Sequence, residues 1–215
     1  MVMSPQSNSK TAVAIMAKAP IPGFAKTRLI PVIGQHAAAI LQGRLTDRAV
    51  ATALSADIGP VTLWAAPDAG HDTFLAMVAR QPVALRPQPA GDLGARMLAA
   101  AAAANGPVLV IGTDCPALSP MHLRGAARAL HEGADVTLIP AEDGGYVLIG
   151  LRKAEPTLFD RIPWGTPKVL AETRARIIAR GLRLNEIPPL WDVDTEDDLA
   201  RMEREIPELA LTAGG

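Results

Sequence analysis

Cysteine is nearly missing from this 215-residue sequence, with Cys115 its sole thiol. That excludes an intramolecular disulfide framework, and nothing points to secretion. Net charge is missing too: 21 Lys+Arg against 22 Asp+Glu leave −1, no electrostatic footprint for nucleic acid or an acidic membrane surface. Long apolar runs are absent. The longest uncharged stretch, Met97 to Thr113, is broken by Asn105-Gly106-Pro107 and does not read as a membrane span. The opening MVMSPQSNS is polar and reads as neither a signal nor a transit peptide, so a cytoplasmic location is expected. His36, His71, His122 and His131 lack metal-ligand spacing with one another or with Cys115, which argues against zinc.

Two familiar phosphate loops are also lacking. Lys26-Thr27 follows Ala25, and Pro20 stands where a Walker A loop needs its first glycine. No G-x-G-x-x-G opens a helix after the first strand. What stands there instead is AVAIMAKAPIPGFAKTRLIPVIG, residues 12–34. The apolar run Ala12–Ala17 suits a strand buried on both faces. The stretch from Lys18 to Gly34, punctuated by Pro20, Pro22, Gly23 and Pro31, is expected to be non-helical. It carries Lys18, Lys26 and Arg28, with no carboxylate between Lys10 and Asp47. Three cations after a buried strand make a receptacle for an anion such as a di- or triphosphate.

Downstream, the periodicities predict helices over 35–54, 71–79 and 97–104, one capped by Ser119-Pro120, one opening at Thr166-Pro167 and one capped by Thr195. Strands are expected over 61–65, 83–86, 108–112, 136–139 and 146–151, with an edge strand over 182–187. Asp143-Gly144-Gly145 is a turn. Strand–helix alternation over the first 140 residues implies an α/β fold, a mostly parallel sheet with helices on both faces. With no repeat and no long linker, one domain over 11–206 is expected, flanked by tails at 1–10 and 207–215.

Ligands of open parallel sheets bind beyond the carboxyl ends of the strands. The Lys18–Arg28 loop and Asp114 both fall there. Asp114, following Val108–Ile111 and Gly112, suits a hard divalent cation, which takes one or two carboxylates plus phosphate oxygens. The second carboxylate is sought among Asp143, Asp192 and Asp194; of the last two, on one extended segment, only one is expected to face the site. Asp197 and Asp198 read as first-turn acids of a helix. Gly94 and Arg96 are candidates for nucleotide contact. Trp164 is either an acceptor-pocket wall or core. Cys115 has no evident base and is not read as a nucleophile.

Taken together, Lys26-Thr27-Arg28-Leu29, Gly112-Thr113-Asp114-Cys115-Pro116, Asp143-Gly144-Gly145-Tyr146 and Trp191-Asp192-Val193-Asp194-Thr195 resemble a family of bacterial GT-A-type transferases, usually labelled glycosyltransferase-like and sometimes associated with radical-SAM and selenium-related genes. The resemblance spans roughly Thr11 to Met202. It extends to the nucleotide-diphospho-sugar transferase superfamily, including molybdopterin nucleotidyltransferases and the phospholactate guanylyltransferases with their similar Lys-Thr-Arg-Leu run. It implies a single three-layer GT-A-like domain, Lys26 and Arg28 as phosphate ligands, and Asp114 with Asp194 (or Asp192) as ligands of Mg²⁺ or Mn²⁺. Ala17-Lys18-Ala19-Pro20 departs from the nucleotidyltransferase glycine pair, and Asp114-Cys115-Pro116 from the glycosyltransferase Asp-x-Asp.

The leading expectation is metal-dependent nucleotidyl transfer from a nucleoside triphosphate to a small phosphorylated or hydroxyl acceptor. Catalysis would rest on Lys26, Arg28 and Asp114, and no nucleic acid or membrane partner is expected. The alternatives are glycosyl transfer from a nucleotide sugar and a non-catalytic nucleotide-binding module.

Overall fold

The apolar run after Thr11 becomes β1 (Ala12–Lys18), and it has no solvent face to spare. Val13, Ile15 and Ala17 enter one core cluster, while Ala14 enters another on the opposite side with Met16 packed against it. The structure, a computed structural model, describes residues 10–211. The opening stretch 1–9 and residues 212–215 of the expected tail lie outside them.

Around β1 stand β2 (Val61–Ala66), β3 (Ala84–Pro87), β4 (Val108–Ile111), β5 (Val136–Pro140), β6 (Tyr146–Leu151) and β7 (Leu184–Glu186), in the order β3-β2-β1-β4-β6-β5-β7. β1 pairs parallel with β2 and β4, β2 with β3, and β5 with β7. The sheet is therefore mostly parallel, as expected, with β7 at its edge. β6 is the exception, antiparallel to both β4 and β5. A turn as short as 141–145 can only return the chain antiparallel, since a parallel return needs a crossover of a dozen or more residues. Gly150 makes this insertion possible: a Cβ there would overlap the side chains of Thr137 and Leu109.

The helices are α1 (Ile30–Ala56), α2 (Asp72–Arg80), α3 (Leu93–Ala103), α4 (Pro120–His131), α5 (Val169–Ala179) and α6 (Glu196–Glu205). Side chains of α1, α2 and α4 pack on one face of the sheet and those of α3 and α5 on the other, giving the three layers. Ser119 caps α4 with Pro120 in its first turn, and Thr195 caps α6 in a reciprocal pair with Asp198. Asp198 accepts from the backbone N–H of Thr195 at 2.8 Å, so its place is explained by capping.

The loop after β1 differs from expectation. Residues 27–29 form a 3-10 turn and α1 already begins at Ile30, kinking at Gly34 (φ 77, ψ 161). Pro31 does not break this helix because it sits in the first turn, where its missing N–H has no partner to lose. At the other end, Pro207–Leu209 forms a 3-10 turn where a tail was expected. Leu209 is buried there with Leu41, Leu45, Trp191, Val193 and Met202. Among the described residues no helix is long and apolar enough to cross a membrane.

Candidate active site

The carboxyl ends of β1 and β4 open into a cleft of about 440 Å³, lined also by the start of β6, the 163–169 loop and the segment before α6. Lys18, Lys26, Arg28, Asp114, Asp143, Trp164, Asp192 and Asp194 all line it. Residues far apart in sequence thus meet where a doubly wound sheet places its ligands.

Backbone bonds hold the site together before any side chain acts. Leu190 N–H donates to Pro140 at 3.0 Å and Val193 N–H to Asp114 at 2.9 Å. These lay the 190–194 segment alongside the ends of β5 and β4. Trp191 and Val193 then turn into the core, while Asp192 and Asp194 both face the cleft. The expectation that only one of them would do so is corrected: residues two apart on an extended chain share a face.

Lys26, expected as a phosphate ligand, is buried, with its side chain 4% exposed, and its ammonium lies 2.5 Å from Asp114 Oδ1 and 3.6 Å from Asp194 Oδ1. It donates to the Val193 carbonyl at 2.7 Å. A left-handed backbone (φ 46, ψ 46) at this residue, uncommon outside glycine, accompanies the inward turn. Arg28 remains largely exposed, 3.3 Å from Asp194 Oδ2, and Lys18 is exposed at the end of β1. Those are the cations open to a ligand.

Gly94 and Arg96 do not join the site as expected. A Cβ on Gly94 would come within 2.8 Å of the Trp164 ring and 2.7 Å of the Phe159 carbonyl. This glycine therefore serves the packing of Trp164. Arg96 folds back to the Gly91 carbonyl at 2.9 Å, satisfying a loop acceptor near the start of α3. Trp164 itself is partly buried, edge-on to Tyr146 with ring centroids 6.4 Å apart, and still forms part of the cleft wall.

Sequence reading missed Gln42. Buried on α1, it donates to Thr113 Oγ1 at 3.0 Å and lines the cleft beside Asp114. Its position on the apolar face of α1, among Leu41 and Leu45, was the available signal: a buried amide needs a partner.

Electrostatically the cleft holds an excess of carboxylate around one buried cation. Burial, then the charges of Asp114 and Asp143, push Asp192 up to about 8. Burial and the Asp192 charge push the Cys115 thiol up to about 12, so it is no thiolate nucleophile at neutral pH. Because Asp192 binds its proton more tightly folded than unfolded, its contribution to stability is fully present below about pH 4 and is lost as pH rises toward 8. Metal-free protein is expected to lose stability across that window in chemical denaturation, and Asp192→Asn to flatten the slope. An unchanged slope in the variant would remove Asp192 as its cause.

Among the described residues, no three Asp, Glu, His or Cys side chains form a ready-made metal cage. Mg²⁺ does not require one, since it is commonly held by one or two carboxylates together with substrate phosphates. Asp114 and Asp194, brought to one ammonium, with Asp192 raised by burial and by like charge, fit such a donor set.

The DUF2064 family, described as "uncharacterized protein conserved in bacteria", matches residues 49–166, more than half of the chain. No curated protein matches significantly. A solved structure from Desulfovibrio desulfuricans G20, provisionally named a nucleotide-diphospho-sugar transferase, is 29% identical with a TM-score of 0.82, over 92% of this chain and 89% of its own. A nucleotidyl transferase from Methanothermobacter thermautotrophicus shares the fold at 17% identity and a TM-score of 0.63, over 94% and 100%. A Mycobacterium tuberculosis protein in complex with manganese does so at 16% and 0.52, over 91% and 100%.

Proposed function

The chain belongs to the DUF2064 family, and we propose that it is a transferase acting on nucleotides, specifically a divalent-metal-dependent nucleotidyltransferase. The observation that carries this reading is the meeting of Asp114, Asp192 and Asp194 with Lys18, Lys26 and Arg28 in one cleft at the carboxyl end of the sheet. The solved structures similar to this chain include a nucleotidyl transferase and a manganese complex, which supports it.

Asp114 and Asp194 would hold Mg²⁺ or Mn²⁺, and the metal, when bound, would neutralise phosphate charge and polarise the reacting phosphoryl group. Lys18 and Arg28 bind the triphosphate from the open side of the cleft. Their preorganised charge meets the negative charge that grows on departing pyrophosphate. Gln42, through Thr113, fixes the end of β4 and so the direction of Asp114. An acceptor phosphate or hydroxyl approaches along the wall formed by Trp164, Tyr146 and Asp143 and attacks the α-phosphorus in line. No protein nucleophile takes part, in keeping with the raised Cys115 thiol.

Glycosyl transfer from a nucleotide sugar is the second reading, favoured by the name of the Desulfovibrio structure. The products separate the two. Nucleoside triphosphates incubated with Mg²⁺ and pooled phosphorylated and hydroxyl acceptors are expected to yield pyrophosphate. Nucleoside diphosphate from a nucleotide sugar, with no pyrophosphate from any triphosphate, would replace the first reading by the second.

A further inference from the structure

The ammonium of Lys26 stands against the same two carboxylates, Asp114 and Asp194, that would hold a metal. It is 2.5 Å from one carboxylate oxygen and 3.6 Å from an oxygen of the other, and the Val193 carbonyl takes a further N–H at 2.7 Å. A magnesium-sized ion bonds its oxygens at about 2.0–2.1 Å. Bonded to these two carboxylates, it would lie within a few ångströms of an ammonium that is itself only 4% exposed, close enough for the two charges to repel. Two cations cannot share that place.

We infer that Lys26 is a tethered competitor of the metal: its ammonium occupies the Asp114–Asp194 pair until an anionic phosphate chain gives it another partner. The four-carbon lysine stem permits the swing, whereas the delocalised fork of an arginine would not form so compact a counter-ion. Metal and triphosphate therefore enter as a coupled pair, each raising affinity for the other by the same factor. Lys18 and Arg28, on the open side, take the phosphates first. This inference rests on the metal reading above and extends it, because it assigns the buried lysine to the metal's carboxylates in the resting protein.

The test is Mn²⁺ binding without nucleotide, followed by electron paramagnetic resonance on the full chain. Lys26→Met is expected to tighten Mn²⁺ binding at least ~10-fold, within the usual range of coupling between ligands. Arg28→Met also removes a cation from beside Asp194, but an exposed one, and is expected to change affinity less than ~3-fold. Unchanged or weaker binding by Lys26→Met overturns the inference, as does equal tightening by both variants, which would mean only a general field effect. In unmutated protein, saturating Mn²⁺ is expected to raise acylation of Lys26 by a small amine reagent, read by mass spectrometry. No rise overturns direct displacement and needs no variant to fold. If neither unmutated protein nor Lys26→Met binds Mn²⁺ even with a nucleoside triphosphate added, the metal reading itself fails and the inference falls with it; binding by both only with the triphosphate, with equal affinity, overturns the inference alone.

Discussion

Asp114→Asn is expected to lower turnover by about 10²–10³-fold or more while leaving the protein folded. Losing one preorganised electrostatic partner of a transition state commonly costs that much, and Asp114 is proposed to do more, as a metal ligand. Asparagine keeps the shape and one acceptor oxygen, so the neighbouring Lys26 ammonium, also held by Val193 and Asp194, is not stranded. Steady-state kinetics with Mg²⁺ and the pyrophosphate assay check this, with circular dichroism as the folding control. A variant that keeps near-normal turnover would take Asp114 out of the chemistry and leave it as the partner of Lys26 alone.

Truncation at the same position is a different experiment. Asp114→Ala is expected to destabilise the metal-free protein by about 2–3 kcal/mol. Breaking a buried ion pair costs about 3–5 kcal/mol because an uncompensated charge stays behind. Here the cost is lower, since Asp114 is 47% exposed while only Lys26 is deeply buried. For a chain of this size that is a fall in Tm of roughly 4–12 °C. Adding Lys26→Met removes the stranded charge and is expected to recover at least half of the loss, since a buried pair replaced by apolar groups is often neutral. Differential scanning calorimetry of the two single variants and the double variant closes the cycle. If the double variant is as unstable as the sum of the singles, the two residues are not energetically coupled.

The second experiment follows from a contact that sequence reading did not foresee. The local rules did apply widely. Short apolar runs located every described strand to within a few residues, and Ser119-Pro120 and Thr195 marked helix starts because capping depends only on neighbours in the chain. With the family resemblance adding Asp194, the loop–strand logic also brought Lys26 and Asp114 to one end of the sheet. It was incomplete at Pro31, where the same residue ends a helix or opens one according to its position in the turn, and at Gly94, whose small size answers to the Trp164 ring packed against it.

By itself, the sequence determined the α/β class, the parallel majority of the sheet and the position of Lys26 and Asp114 beyond the ends of their strands. Those properties follow from short-range patterns of apolar residues, turns and caps. Only the tertiary structure decided that β6 inserts antiparallel between β4 and β5, and that Lys26 turns inward to Asp114 and Val193. It also decided that Asp192 is held among like charges. Charge type is written in the residue, but the partner of a charge depends on which distant segments the core brings against it. For Lys26 those partners lie 88 and 167 positions away, one at the end of β4 and one beside it.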